Sequence, residues 1–141
     1  MLLPKKVKFR KWQTGRKNAK RIAGAVESRG AAVSFGAFGL KAISPGRIKS
    51  NQLEAARKAM SRFAGKNAKI WIRIFPDRPF TAKAAEVGMG AGKGDPQGYE
   101  VEVRPGRVIF EVDGVSKIDA LESLRKAGAK LPVKTKFVSR L

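Results

Sequence analysis

The chain has 141 residues, with 31 Lys and Arg against 11 Asp and Glu, a formal charge of +20. It contains neither Cys nor His, which excludes disulfides, thiolate nucleophiles, histidine-based triads and zinc sites that need nitrogen or sulfur ligands. A hydrophobic fraction of 43% separates it from a disordered basic tail and suits one domain with a buried core.

The charge is unevenly placed: residues 1–70 carry 18 basic and two acidic side chains, residues 71–141 carry 13 and nine. Self-repulsion on this scale disfavours a compact state, so a polyanion is the expected partner, nucleic acid ahead of an anionic membrane. No apolar run of spanning length occurs, and Lys5 and Lys6 follow too soon on residues 1–3 for a secretory segment. A cytoplasmic location is expected.

Residues 4–29 are rich in Lys and Arg, with Phe9, Trp12 and Ile22 as the few bulky apolar side chains. This pattern predicts an extended arm with a short helix near 18–28. Phe9 and Trp12, set between cations, suit either stacking on bases or packing on the arm's own domain. Residues 31–44 read as short strands broken by Gly36 and Gly39, where a bulge or a close backbone approach fits, and Pro45-Gly46 as a turn. Asn51 with Glu54 has capping-box spacing, and Leu53, Ala56, Met60 and Phe63 recur at helical intervals up to Gly65. The other side of this helix presents Arg57, Lys58 and Arg62, either a solvated face or a phosphate-binding ridge.

Residues 69–75 alternate strictly, with Ile70, Ile72 and Ile74 on one face and Trp71, Arg73 and Phe75 on the other, which predicts a strand ended by Pro76. Residues 99–104 and 107–113 flank Pro105-Gly106 as an expected hairpin. A second helix is predicted from Ser116, with Asp119 three residues on and Ile118, Leu121 and Leu124 as its apolar positions, stopping before Pro132. A last strand is expected over 133–139. Strands mixed with two helices give the α+β class.

Between these elements, residues 81–98 form a long loop with Gly88, Gly90, Gly92, Gly94 and Gly98. A Walker loop is excluded by spacing, because Val87 stands six residues before Lys93 and Gly94 follows it. The loop is expected to be mobile alone and fixed by a partner, with Lys93 on phosphate and Met89 as a soft apolar tip. Glu100/Glu102 and Glu111/Asp113 are expected on solvent faces, balanced by nearby cations, rather than as a metal or acid–base cluster.

Several segments, in order over essentially the whole chain, resemble one family. They are residues 1–11 with Gly15 and Arg16, Val-Ser-Phe-Gly-Ala-Phe-Gly-Leu at 33–40, and Glu-Ala-Ala-Arg-Lys-Ala-Met-Ser-Arg at 54–62. Further on they are Lys-Ile-Trp-Ile-Arg-Ile-Phe-Pro-Asp at 69–77, Met-Gly-Ala-Gly-Lys-Gly at 89–94, Pro-Gly-Arg at 105–107 and Lys-Leu-Pro-Val-Lys-Thr at 130–135. The family is the bacterial large-subunit ribosomal protein L-sixteen, grouped with the archaeal and eukaryotic L-ten-e proteins. The resemblance implies a hammerhead-like α+β domain of mainly antiparallel sheet. It also implies binding to large-subunit rRNA, a part in shaping the aminoacyl-tRNA site, and contact with tRNA and neighbouring ribosomal proteins as a monomer. No catalytic residue, metal, cofactor or membrane is implied.

By similarity, Lys5, Lys6, Lys8, Arg10, Lys11 and Arg16 are expected along rRNA phosphates; Phe9, Trp12, Lys17, Lys20, Arg21, Arg57, Lys58, Arg62 and Arg73 are further candidate rRNA-binding residues read from the sequence itself. The loop residues Met89, Gly90, Gly92, Lys93 and Gly94 are expected to face tRNA near the peptidyl-transferase centre. Gly88 and Ala91 stand where the family usually has cations, and the segment 17–32 is longer than the common pattern. The expected division is a basic arm over 1–30 and an rRNA-binding domain over 31–141, with the flexible loop at 81–98. A free-standing basic RNA chaperone is the alternative, and a nucleotide-dependent enzyme a distant third.

Overall fold

In the computed structural model, residues 1–13, 21 and 24–140 are described. They hold β1 (Phe38–Ala42), β2 (Gly46–Lys49), α1 (Ser50–Ala64), β3 (Lys69–Ile72), β4 (Arg78–Ala82), β5 (Asp95–Val103), β6 (Val108–Asp113), α2 (Lys117–Gly128) and β7 (Thr135–Ser139). The strands form two sheets, one in the order β3-β6-β1-β7 and the other β2-β5-β4, and every ladder is antiparallel. The α+β class with two helices follows directly.

Periodicity explains the helices. Leu53, Ala56 and Met60 of α1 are buried on one face, and small Ala120 and Ala127 of α2 let the two helices pack closely. α1 also lies on β2 and β5, and α2 on β1, β6 and β7. One continuous apolar core therefore joins both sheets, with Phe110 fully buried within it. Helix α1 starts after Lys49, earlier than the capping-box spacing suggests: the Gln52 side chain accepts from the Lys49 N–H at 2.9 Å, while Glu54 pairs with Arg57. Ser116 caps α2 as expected, its hydroxyl accepting from the Asp119 N–H. The apolar phase of α2 differs from expectation, since Ile118 and Leu121 are exposed and the inward positions are Ala120, Ser123, Leu124 and Ala127. Close packing against α1 selects the small residues.

The largest departure is at Pro105-Gly106. Residues 104–107 do make a turn, with the Arg107 N–H donating to Arg104 O at 3.2 Å and Gly106 at φ 98. Yet β5 belongs to one sheet and β6 to the other, so no hairpin forms. Pro followed by a positive-φ Gly is type II chemistry, which splays strands instead of matching their twist. Ala42 locks the divergence, accepting from the Gly106 N–H at 2.7 Å and donating to Arg107 O at 2.8 Å.

Elsewhere the strand boundaries move. The ladder of β3 ends at Ile72, before Pro76, and the expected loop over 81–98 shortens to 83–94 because β4 and β5 pair from Arg78↔Glu100 to Ala82↔Asp95. Of the helix expected near 18–28, Arg21 and Gly24 are helical, residues 25–28 are irregular and the rest falls outside the described residues. Gly39 lies inside β1, with the register shift one residue later, at Leu40/Lys41. At Gly36 the expected close approach is present: a Cβ there would sit 2.7 Å from Val112 O and 3.1 Å from the Trp71 ring. Gly36→Ala is accordingly expected to destabilise the domain by about 1–3 kcal/mol, read as a lower urea midpoint with unchanged slope.

Candidate nucleic-acid interface

The described residues among 1–30 touch the rest of the chain at three places. Leu2 O accepts from the Ser50 hydroxyl at 2.7 Å and the N-terminal amine lies 3.8 Å from Glu54, at the start of α1. Further on, the Glu27 N–H donates to Pro105 O, and Gly30 O accepts from the Val108 N–H. Between these points Lys11 and Trp12 meet the glycine-rich hairpin and its strands.

That meeting is built on the polar face of the β2-β5-β4 sheet. Cross-strand register sets Arg47 opposite Glu102 and Arg78 opposite Glu100, and the four side chains form a network with N–O separations of 3.5–3.8 Å. The Arg78 guanidinium lies over the Trp12 ring, 5.3 Å from its centroid. From the arm, Lys11 Nζ donates to Lys93 O at 3.2 Å, and in return Lys93 Nζ donates to Trp12 O. Lys83 Nζ ties the root of the hairpin to Gly90 O. The arm and the loop, separate in sequence, are thus one surface. Trp12→Ala is expected to release the arm and to speed tryptic cleavage after Lys11 severalfold, with no change in the urea midpoint of the core.

The sequence-derived candidates fall into three groups. Lys5, Lys6, Lys8 and Arg10 are exposed on the arm and Lys11 is half-buried, with no carboxylate paired to any of them among the described residues. Phe9 is exposed beneath Lys8, whose Nζ is 5.5 Å from the ring centroid. Arg16, Lys17 and Lys20 lie outside the described residues, and Arg21 is exposed. The second group is the tip of the hairpin: Met89 is fully exposed, and Gly90 and Gly92 have φ values of 111 and 90 around Ala91 at 56. Glycine at 90 and 92 meets that backbone requirement without strain.

The third group is on the domain. Arg57 is engaged by Glu54 three residues earlier, and its hydrogen bond is the main cause that holds the Glu54 carboxyl below its ordinary value. Lys58 and Arg62 remain exposed on the same helix. Arg73, in contrast, is turned inward: it pairs with Glu111, donates to Ala32 O at 3.3 Å and lies 4.9 Å from the Phe35 ring centroid. Its guanidinium is engaged within the fold by these partners.

The carboxylates complete the picture. Glu100 is buried in the arginine network, and Glu111 is fully buried, so neither lies on the solvent face expected for it. One Glu111 oxygen accepts from the N–H groups of Ser34, Phe35 and Gly36 at 2.8–3.1 Å, and the other from Arg73. Burial pushes this carboxyl up, but Arg73 and the three amides outweigh it and hold the group below its ordinary value. Every carboxylate in these clusters is neutralised by arginine or amide donors, an arrangement for holding strands and not for acid–base chemistry. Arg47, Arg78 and Lys83, which position the arm and loop, escape sequence reasoning because nothing local marks them; only strand pairing brings them together.

Among the described residues no helix is long and apolar enough to cross a membrane. The cations of residues 5–11, the exposed glycine hairpin that Lys11 joins and the partly exposed arginine–glutamate network on its sheet form a surface suited to a polyanion. A family model described as ribosomal protein L16p/L10e matches residues 4–138. The chain belongs to the L16p/L10e family of large-subunit ribosomal structural proteins.

Proposed function

We propose that the protein binds large-subunit rRNA through its arm and uses the adjoining hairpin to contact tRNA beside the peptidyl-transferase centre, helping to shape the aminoacyl-tRNA site. The supporting observation is the exchange of lysine contacts between Lys11 and Lys93 O and between Lys93 and Trp12 O. RNA bound along Lys5, Lys6, Lys8 and Arg10 fixes the arm, and the arm in turn fixes the hairpin whose tip is Met89. Binding is electrostatic and follows backbone shape, since the exposed groups are lysines and arginines without a fixed base-reading set. Lys58 and Arg62 add phosphate contacts from α1. The cytoplasm is the proposed location, with the protein a monomer inside the large subunit.

Photocrosslinking tests this reading. With a photoreactive residue in place of Met89 in purified ribosomes carrying aminoacyl-tRNA, crosslinks to the tRNA acceptor end are expected. Crosslinks to rRNA or protein alone overturn the tRNA contact. Native lysate run on a sucrose gradient is expected to place about one copy on each large subunit. Variable stoichiometry across free RNA and light fractions favours the chaperone alternative instead.

A further inference from the structure

We propose that the outer face of the β1–β7 edge of the four-stranded sheet is a second RNA contact that takes a single-stranded phosphodiester segment. The proposal rests on the ribosomal reading above, but on different residues. In the β1–β7 ladder Lys41 stands directly opposite Lys136. Directly opposed side chains in such a pair have Cβ atoms about 5 Å apart, and like charges there repel. No carboxylate is paired with either lysine among the described residues. A like-charged pair kept without an internal counter-ion is stabilised by an external anion.

The surroundings extend the cationic track. The backbone pairing continues at both ends of β7, through the Ile43 N–H to Lys134 O and the Arg140 N–H to Ala37 O, each 2.8 Å. Alternation therefore places Lys134, Lys136 and Arg140 on one side of the chain, with neighbouring positions of this period about 7 Å apart. Beside them is a cleft of about 720 Å³, with Ala31, Ala32 and Val33 as an apolar wall and Lys41, Lys117 and Arg140 as its cations. Among the described residues no acidic side chain lines it. Asp113 shares a smaller adjoining cleft with Arg140 and is engaged by the Gly114 N–H at 2.8 Å, and Glu111, across from Gly39 on the neighbouring strand, is engaged by Arg73 and three backbone amides. Phosphates along the lysines and an unstacked base against the apolar wall match this combination of charge and shape.

β7 is also an edge strand, and edge lysines serve to block strand addition. That role alone predicts no effect on RNA binding, which makes the two explanations separable. The full-length protein is titrated with a fluorescein-labelled oligouridylate of about twelve nucleotides, by anisotropy, from about 50 to 300 mM KCl. The variant carrying Lys41→Gln, Lys136→Gln and Arg140→Gln is expected to flatten the log–log salt slope by about 2, with affinity about 100-fold lower near 0.1 M salt. Lys136→Gln alone is expected to raise the melting temperature of the free protein, because it removes the cross-strand repulsion. A lowered melting temperature overturns that premise. The arm variant carrying Lys5→Ala, Lys6→Ala, Lys8→Ala and Lys11→Ala runs alongside. If it flattens the slope and the strand variant does not, the edge contact is refuted and the arm reading stands. If the strand variant flattens the slope and the arm variant does not, the arm reading is the one that falls. Tighter binding of an oligoglutamate peptide than of the RNA also overturns the edge contact.

Discussion

Glu111→Ala is expected to lower the free energy of unfolding by about 3–5 kcal/mol, because it leaves the Arg73 guanidinium without its ion-pair partner and three amides without an acceptor. For a domain whose total stability is of the order of 5–15 kcal/mol, this is enough to populate unfolded chains at growth temperature. Urea denaturation of the purified protein checks it, and a loss below about 1 kcal/mol contradicts the role assigned to this carboxylate. The pH dependence gives a second check. The Glu111 carboxyl is depressed in the folded protein relative to an ordinary value of 4.5, so its contribution is complete above that value and is lost as pH falls through the folded-state pKa below it. Glu111→Gln keeps the shape and cannot titrate. The stability difference between wild type and Glu111→Gln is therefore expected to be constant above pH 4.5 and to shrink on further acidification. The mounting positive charge of the chain acts on both proteins and cancels in the comparison.

The arm variant carrying Lys5→Ala, Lys6→Ala, Lys8→Ala and Lys11→Ala is expected to flatten the salt slope for single-stranded RNA by nearly 3, about 0.7 for each cation removed. Near 0.1 M salt this corresponds to a loss of several hundredfold in affinity. The same substitutions leave the core untouched, since none of the four lysines belongs to it, so the melting temperature is expected to change little. An unchanged slope removes the arm from the RNA interface. Lys11 differs from the other three because it also donates to Lys93 O. Lys11→Ala alone is expected to raise amide exchange in residues 89–94 as well as to weaken RNA binding, and Lys5→Ala alone only to weaken binding.

Local signals decided where the helices lie. The Ser116 cap, the apolar spacing of Leu53, Ala56 and Met60, and the stop at Gly65 each act within a few residues, and each is present in the structure. The same kind of signal misled at Ile118 and Leu121, where hydrophobicity alone chose the inward face and the close approach of two helices chose alanine and serine instead. Short β2 and β4 escaped notice. Each has only four or five residues, one begins at Gly46 and the other contains Pro79, so their strand character comes from pairing with β5 and not from their own composition.

The sequence by itself determined the class of partner, the absence of cysteine and histidine chemistry, the α+β class and the positions of both helices. Charge, composition and short-range periodicity carry that information without reference to distant residues. Only the tertiary structure decided that Pro105-Gly106 passes the chain between two sheets, that Glu111 is a buried anchor for residues 34–36, and that Arg73 faces inward. It alone also joined Trp12 to Arg78 and Lys11 to Lys93. These pairs lie up to 82 residues apart, and a contact at that separation depends on which strands pair and which faces they bury, a property of the assembled fold and of no single segment.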